Sequence, residues 1–260
     1  MADRNVVLIE KKGNIATIMV NRPDKLNALN AEVRVGVAMA LEQLRQDDDV
    51  RVAIITGAGD KAFIAGADIA EFEGKSGVEG YHYIQTGDVY SAVERFPKPT
   101  IAMINGFCLG GGCEVALACD IRIASDKAKL GQPEINLGLI PGGGGTQRLP
   151  RLVGQGHAMR LIYTGDAIDA ASAEKIGLVD EVVPQDELKG RVMELATKIA
   201  EKSPAALQAT KESIRAAWQM PLDQGLRFEK AWFGLLFSTQ DMHEGVSAFL
   251  EKRKPEFRGR

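Results

Sequence analysis

Two glutamates and two glycine-bearing segments are the residues of this chain best suited to chemistry. Glu114 follows the run Asn105-Gly106-Phe107-Cys108-Leu109-Gly110-Gly111-Gly112-Cys113, in which three consecutive glycines open a helical pattern. Glu134 lies 20 residues later, in Gly131-Gln132-Pro133-Glu134, after a predicted strand. A pair of carboxylates can hold a water and pass protons to and from it. Glycines at a strand-to-helix turn leave N–H groups unblocked at the positive end of a helix, where negative charge is stabilised. Ala62-Phe63-Ile64-Ala65-Gly66-Ala67-Asp68-Ile69 is a second such place, because small residues after a strand let a ligand approach the main chain. Tight turning alone would also explain either segment. A helix-terminus charge and a loop charge would explain the glutamates.

Other chemistries find less support. No segment matches G-x-x-x-x-G-K-[ST], and Pro141-Gly142-Gly143-Gly144-Gly145 lacks the lysine of a phosphate-cradling loop. A dinucleotide fingerprint after a strand is absent too. Paired carboxylates suit glycoside hydrolysis, but sugar sites bring aromatic platforms, and the few aromatics here cluster in the tail. The three histidines, His82, His157 and His243, sit in polar or helical contexts, and no pair has metal-ligand spacing. No G-x-S-x-G elbow is present. Chemistry here would run on carboxylates and backbone amides.

Composition agrees with an ordinary globular protein. Hydrophobic residues make up 45% of 260 positions, enough for a core without staples. Thirty-two basic against 35 acidic side chains leave a net charge of −3, with no global attraction for nucleic acid or an anionic membrane. Cys108, Cys113 and Cys119 are odd in number and read as buried thiols. The stretch Met1-Ala2-Asp3-Arg4-Asn5 has no apolar signal region, and no apolar run reaches the roughly 18 residues of a membrane span. A cytoplasmic location is expected.

The elements that must position these residues follow from period and punctuation. Residues 6–9 and Ile15–Val20 read as a hairpin around Lys11-Lys12-Gly13-Asn14. Asn30 can cap a helix whose apolar positions Val33, Val37, Ala40, Leu41 and Leu44 share one face. Residues 52–55 form a buried strand. After the break Pro97-Lys98-Pro99 come a strand, Thr100–Ile104, the glycine turn, a helix over 113–119 and a strand over 120–125. Beyond about residue 190 the chain turns helical, with helices over 187–202, 208–218, 222–237 and 241–252 and a Ser203-Pro204 start signal. Trp218, Phe228, Trp232, Phe233, Phe237 and Phe249 make this tail aromatic, suited to packing on the core or on another subunit.

Taken in order, several stretches resemble the enoyl-CoA hydratase (crotonase) family, most closely its short-chain members. They are Asn21-Arg22-Pro23-Asp24-Lys25-Leu26-Asn27-Ala28-Leu29, Ala65-Gly66-Ala67-Asp68-Ile69, the glycine run through Glu114, and Gly131-Gln132-Pro133-Glu134. Residues 141–149 and the tail Ser247-Ala248-Phe249-Leu250-Glu251-Lys252-Arg253-Lys254 complete the set, so the resemblance spans essentially the whole chain.

The resemblance implies an α/β fold of the ClpP/crotonase type. Residues 1–190 would form a spiral of strand–strand–helix repeats, and residues 191–260 a helical trimerisation region of a homotrimer or dimer of trimers. It implies an acyl-CoA thioester as substrate, with no separate cofactor, no metal, no nucleic acid and no membrane partner. The N–H groups of Ala67 and Gly111 would form an oxyanion hole, and losing one such donor typically costs about 3–4 kcal/mol. Glu114 would take a proton from water as it attacks the β-carbon, and Glu134 would give one to the α-carbon. Lys25, Ala28, Ala65, Gly66, Asp68, Ile69 and Lys252 would line the substrate and coenzyme site. In that set Asp68 orients its loop, and Lys25 and Lys252 lie near the nucleotide, as Arg22 would. The acyl pocket would draw on segments such as 72–90. A double-bond isomerase, or a non-catalytic acyl-CoA or RNA-binding relative, is the alternative on this fold.

Overall fold

A computed structural model describes residues 5–259 of the chain. The amino-terminal hairpin pairs β1 (Val7–Lys12) with β2 (Ile15–Val20) antiparallel, so Lys11 and Lys12 belong to the strand and the turn shrinks to Gly13-Asn14. α1 (Ala31–Arg45) follows, with Asn30 accepting the Val33 N–H at 3.0 Å as its cap. Every apolar position assigned to its inner face is buried.

Three strand–strand–helix units come next. β3 (Val52–Gly57) and β4 (Ala62–Ile64) lead to α2 (Gly77–Gln85) and α3 (Val89–Glu94). β5 (Thr100–Ile104) and β6 (Phe107–Leu109) lead to α4 (Gly111–Ala118). β7 (Ile121–Ser125) and β8 (Lys129–Gly131) lead to α5 (Gly145–Val153) and α6 (Gln155–Thr164). β9 (Ile168–Asp169), α7 (Ala170–Lys175) and β10 (Glu181–Val183) close the series. The first strand of each unit joins one sheet, in the order β1-β2-β3-β5-β7-β10 and parallel from β2 onward. The second joins a smaller sheet, β4-β6-β8-β9. Advancing one strand per unit in both sheets makes the chain a spiral.

The short strands of the second sheet were not separable in sequence from the turns around them. The helix expected at 113 begins at Gly111, so two of the three glycines are helical rather than turn residues.

The large sheet is apolar on both faces, as parallel strands require. One face packs against α1, α3, α4 and the small sheet. The other buries Ile15, Val52, Ile54, Ile101 and Ile123 under Leu188, Val192 and Ala196 of α8 (Leu188–Ala200). Residue 190 therefore falls inside a helix that covers the sheet. α9 (Pro204–Ala216), capped by Ser203, is tied to the core by Asp120, which pairs with Lys211 at 2.7 Å and Arg215 at 3.0 Å. α10 (Leu222–Leu236) buries no residue, and α11 (Gln240–Leu250) buries only Asp241 and Ala248. All three cysteines are free and buried. No helix among the described residues is long and apolar enough to cross a membrane.

Candidate active site

The loops that leave the short strands converge on one space. After β4, residues 65–68 zip onto residues 26–29. Ala65 N–H donates to the Leu26 carbonyl at 3.1 Å, Leu29 N–H to Gly66 at 2.8 Å, and Asp68 N–H to Leu29 at 2.9 Å. In this bridge the Ala67 N–H is the amide left over, without a backbone acceptor among the described residues. Leu26 and Asn27 sit in the left-handed region at φ 49° and 59°. Such strain persists only where the surroundings over-determine it. Here Asn27 donates to the Ala58 and Ala62 carbonyls at 3.0 and 2.8 Å and accepts the Arg22 N–H at 3.0 Å.

Gly110, at φ 50°, turns the chain from β6 into α4. The N–H of Gly111 also has no backbone acceptor among the described residues, being in the first turn of the helix. A methyl group built on Gly111 would lie 3.8 Å from the Ala67 nitrogen, so the two amides border one space. That methyl would also lie 2.9 Å from the Tyr90 hydroxyl. At Gly112 a methyl would stand 1.9 Å from the Ile64 carbonyl oxygen. Only glycine lets α4 begin this close to β4, which is what brings the two amides together.

Glu114, one turn into α4, is 2% exposed. Its Oε1 accepts the N–H groups of Gly143 and Gly145 at 2.7 and 2.8 Å, and Oε2 has no protein partner among the described residues. Burial pushes its pKa up, against the two N–H groups and Arg148, which pull it down. Arg148 holds the cradle itself: it donates to the Gly143 carbonyl at 2.8 Å and pairs with Glu94.

Glu134 sits in the 3-10 turn Pro133–Leu137, and its carboxylate would stand 2.9 Å from a methyl built on Gly110. Gln132 is fully buried, and with its amide nitrogen facing Glu134 it donates to both carboxylate oxygens at 3.2 Å. Burial, with a further contribution from the charge of Glu114, pushes the Glu134 carboxyl up to about 7. One acid is thus anchored by amides and the other is poised to carry a proton at neutral pH.

The positions singled out in sequence do not all meet. Glu114, Glu134, Ala67 and Gly111 come together, with Ala28, Ala65, Gly66 and Asp68 in the adjoining bridge. Asp68 pairs with Arg22 at 3.0 Å, and Arg22 also bonds the Ala28 carbonyl at 2.7 Å. Arg22 therefore braces this loop. Lys25 and Ile69 are exposed at its edge. Lys252 stands apart. Its neighbours Arg253 and Lys254 bond Glu244 and Glu201 in the helical tail, and no hydrogen bond ties that stretch to the site loops.

Sequence reasoning missed Tyr90, Gln132, the Gly143–Gly145 cradle and its Arg148 brace. A four-glycine run without a lysine was the available sign of a cradle for a carboxylate instead of a phosphate. The broad cleft between α5 and α9, lined by Arg148, Arg151, Lys211 and Trp218, contains neither acid and is a different place.

The family model described as enoyl-CoA hydratase/isomerase matches residues 10–260. The chain belongs to that family. Within the enoyl-CoA hydratase/isomerase family it is 46% identical over 253 residues to a short-chain-enoyl-CoA hydratase of Clostridium acetobutylicum, covering 97% of both chains. It is also 46% identical over 258 residues to a crotonyl-CoA hydratase of Syntrophomonas wolfei, covering 99% of both. A crystal structure of an enoyl-CoA hydratase from Bacillus anthracis superposes with a TM-score of 0.95 at 42% identity, covering 98% of this chain and 100% of that one. The fold is the crotonase fold.

Gly112→Ala should cost about 2–3 kcal/mol or more, because its methyl meets backbone and not a yielding side chain. Urea unfolding followed by circular dichroism measures it, and an unchanged midpoint would show that the α4–β4 contact is slack.

Proposed function

We propose that the chain is an enoyl-CoA hydratase, adding water reversibly to a trans-2-enoyl thioester of coenzyme A to give the 3-hydroxyacyl thioester. The observation that carries this reading is the convergence of a buried acid, Glu114, and a half-buried one, Glu134, on a space bordered by two amides without backbone acceptors among the described residues. Hydration draws electron density from the β-carbon towards the thioester carbonyl. Amides of Ala67 and Gly111 aimed at that oxygen stabilise the enolate-like charge, and the helix N-terminus at Gly111 adds to the field.

Glu114, held by Gly143 and Gly145, keeps Oε2 for the water and takes its proton as the oxygen attacks the β-carbon. Glu134 keeps its proton near neutral pH and delivers it to the α-carbon. An isomerase moves a proton within the substrate and needs one acid, so the presence of both favours hydration. The coenzyme arrives as part of the substrate, and no separate cofactor is required. Lys25, exposed beside the bridge, is the cation placed to meet its phosphates; Lys252 is not brought there within one chain.

Helices α9–α11 serve assembly in this reading, as a homotrimer or dimer of trimers. Leu222 is 78% exposed, Phe233 66% and Phe249 82%, an apolar surface that a partner of the same chain would cover.

Glu114→Gln and Glu134→Gln should each lower crotonyl-CoA hydration by about a hundredfold or more, read as loss of the enoyl thioester absorbance. Near-normal turnover in either removes the two-acid mechanism. For wild type, kcat/KM should fall as pH rises past about 7, where Glu134 gives up its proton, and fall again in acid as Glu114 takes one up. These limbs belong to the pair jointly, and a flat profile across this range would dismiss Glu134 as proton donor. Light scattering should give a mass three or six times 28.1 kDa; a 28.1 kDa particle at micromolar concentration excludes the assembly.

A further inference from the structure

Arg148 stands where an arginine is least expected. It is the fourth residue of α5, so its charge lies beside the positive end of that helix, which favours an acidic occupant and already receives Glu114. Its Nε is buried without a partner among the described residues. Neither feature stabilises a fold, so what the guanidinium holds must account for it. The Arg148 N–H donates to the Gly144 carbonyl at 2.8 Å, and the side chain folds back over the same glycine. Gly144, at φ 108°, leaves open the space that the guanidinium fills. One Nη reaches the Gly143 carbonyl at 2.8 Å, and the other pairs with Glu94.

Gly143 is thereby gripped on three sides. Its N–H donates to Glu114 at 2.7 Å, its carbonyl accepts from Arg148, and the Tyr90 ring closes off its Cα. The turn sets the position of the Glu114 oxygen, and Arg148 sets the shape of the turn. Charge acts in the same direction: burial raises the Glu114 carboxyl, and the two N–H groups and the Arg148 guanidinium limit the rise. The other ionisable groups facing Glu114 are Tyr90 of α3 and Glu134, and neither supplies a positive charge. Arg148 and Glu94 line the cleft between α5 and α9, which contains neither acid, so they act from behind the turn. The other cations of that cleft are engaged elsewhere: Lys211 and Arg215 on Asp120, Arg122 on Asp180, and Arg151 on the Gln147 carbonyl. Arg215 and Arg95 act on Glu94 without pairing with it, which leaves Arg148 as its partner among the described residues.

We propose that Arg148, oriented by Glu94, is a positioning residue for hydration: it fixes the Gly143–Gly145 turn so that one oxygen of Glu114 stays tied and the other faces the water. This rests on the hydratase reading above and extends its machinery to an ion pair on the outer side of the turn. A pair that served stability alone would leave the pH dependence of turnover unchanged, whereas this one sets how readily Glu114 takes up a proton.

The test measures crotonyl-CoA hydration by the full-length protein and its variants at about pH 6 and about pH 8, with the Kd for butyryl-CoA as the check on a folded site. Arg148→Met should lower kcat about tenfold at the higher pH and about thirtyfold or more at the lower, because Glu114 is protonated more readily without the cation. Its Kd for butyryl-CoA should stay within about twofold of wild type. Arg148→Lys keeps the charge and loses the fork, so its loss of kcat should be smaller and about equal at the two pH values. Glu94→Gln keeps the cation but releases its orientation; kcat should fall about threefold with no added loss at the lower pH. That variant carries the test if Arg148→Met does not fold. Turnover within about twofold of wild type in both variants overturns the proposal and leaves hydration standing. So does a loss in Arg148→Met that is equal at the two pH values and not recovered by lysine. A wild type that does not hydrate crotonyl-CoA overturns both readings.

Discussion

Taking the Glu114 carboxylate out of water is the constraint around which the centre of this molecule is arranged. Burial alone would neutralise it, and two N–H groups on one oxygen oppose that tendency. Those N–H groups belong to a glycine loop that Arg148 pins by its Gly143 carbonyl, while Glu94 pins Arg148. The other half of the arrangement is steric. α4 can carry Glu114 into the site only by starting against β4, and the missing side chain at Gly112 permits that contact. A hydrogen-bond cradle and a backbone-to-backbone contact thus fix one acid relative to two amides.

The second acid is held differently, and the difference has chemical meaning. Glu134 lies on a short 3-10 turn, with a buried amide side chain as its neighbour and no pair of backbone donors to its carboxylate. With less to favour the ionised form, burial lifts it to about 7. Burial raises both glutamates, but their loops answer it differently, with two backbone N–H groups for Glu114 and a buried amide side chain for Glu134.

Much of the frame was legible in the residues. Ile15–Val20, Thr100–Ile104 and the capped helix after Asn30 announced themselves by period and punctuation, because each buries a face large enough to pattern several residues. The three-residue strands β4, β6 and β8 could not be read: three residues carry no period, and their glycine-rich surroundings look like turns. The acids and the amide pair were found because glycines and glutamates in strand–turn–helix context point to open donors and proton carriers. Partners separated by many residues were invisible. Nothing near Arg22 says that it will pair with Asp68, and nothing near Arg34 says that a charged residue one position from the inner face of an amphipathic helix will be buried. The first arises only when the loop after β4 meets the loop before α1, and the second only when α2 folds over α1.

The roof of the site has a different standing from its walls. Neither the Ile69–Phe72 turn nor α2 contains a buried residue, whereas α4 is buried along its whole length. Exchange of side chains in the roof therefore leaves the packing that sets acids against amides undisturbed. In the proposed reading, one scaffold can in this way be retuned to many carbon chains through the turn and α2 alone, with the bond-making apparatus inherited intact.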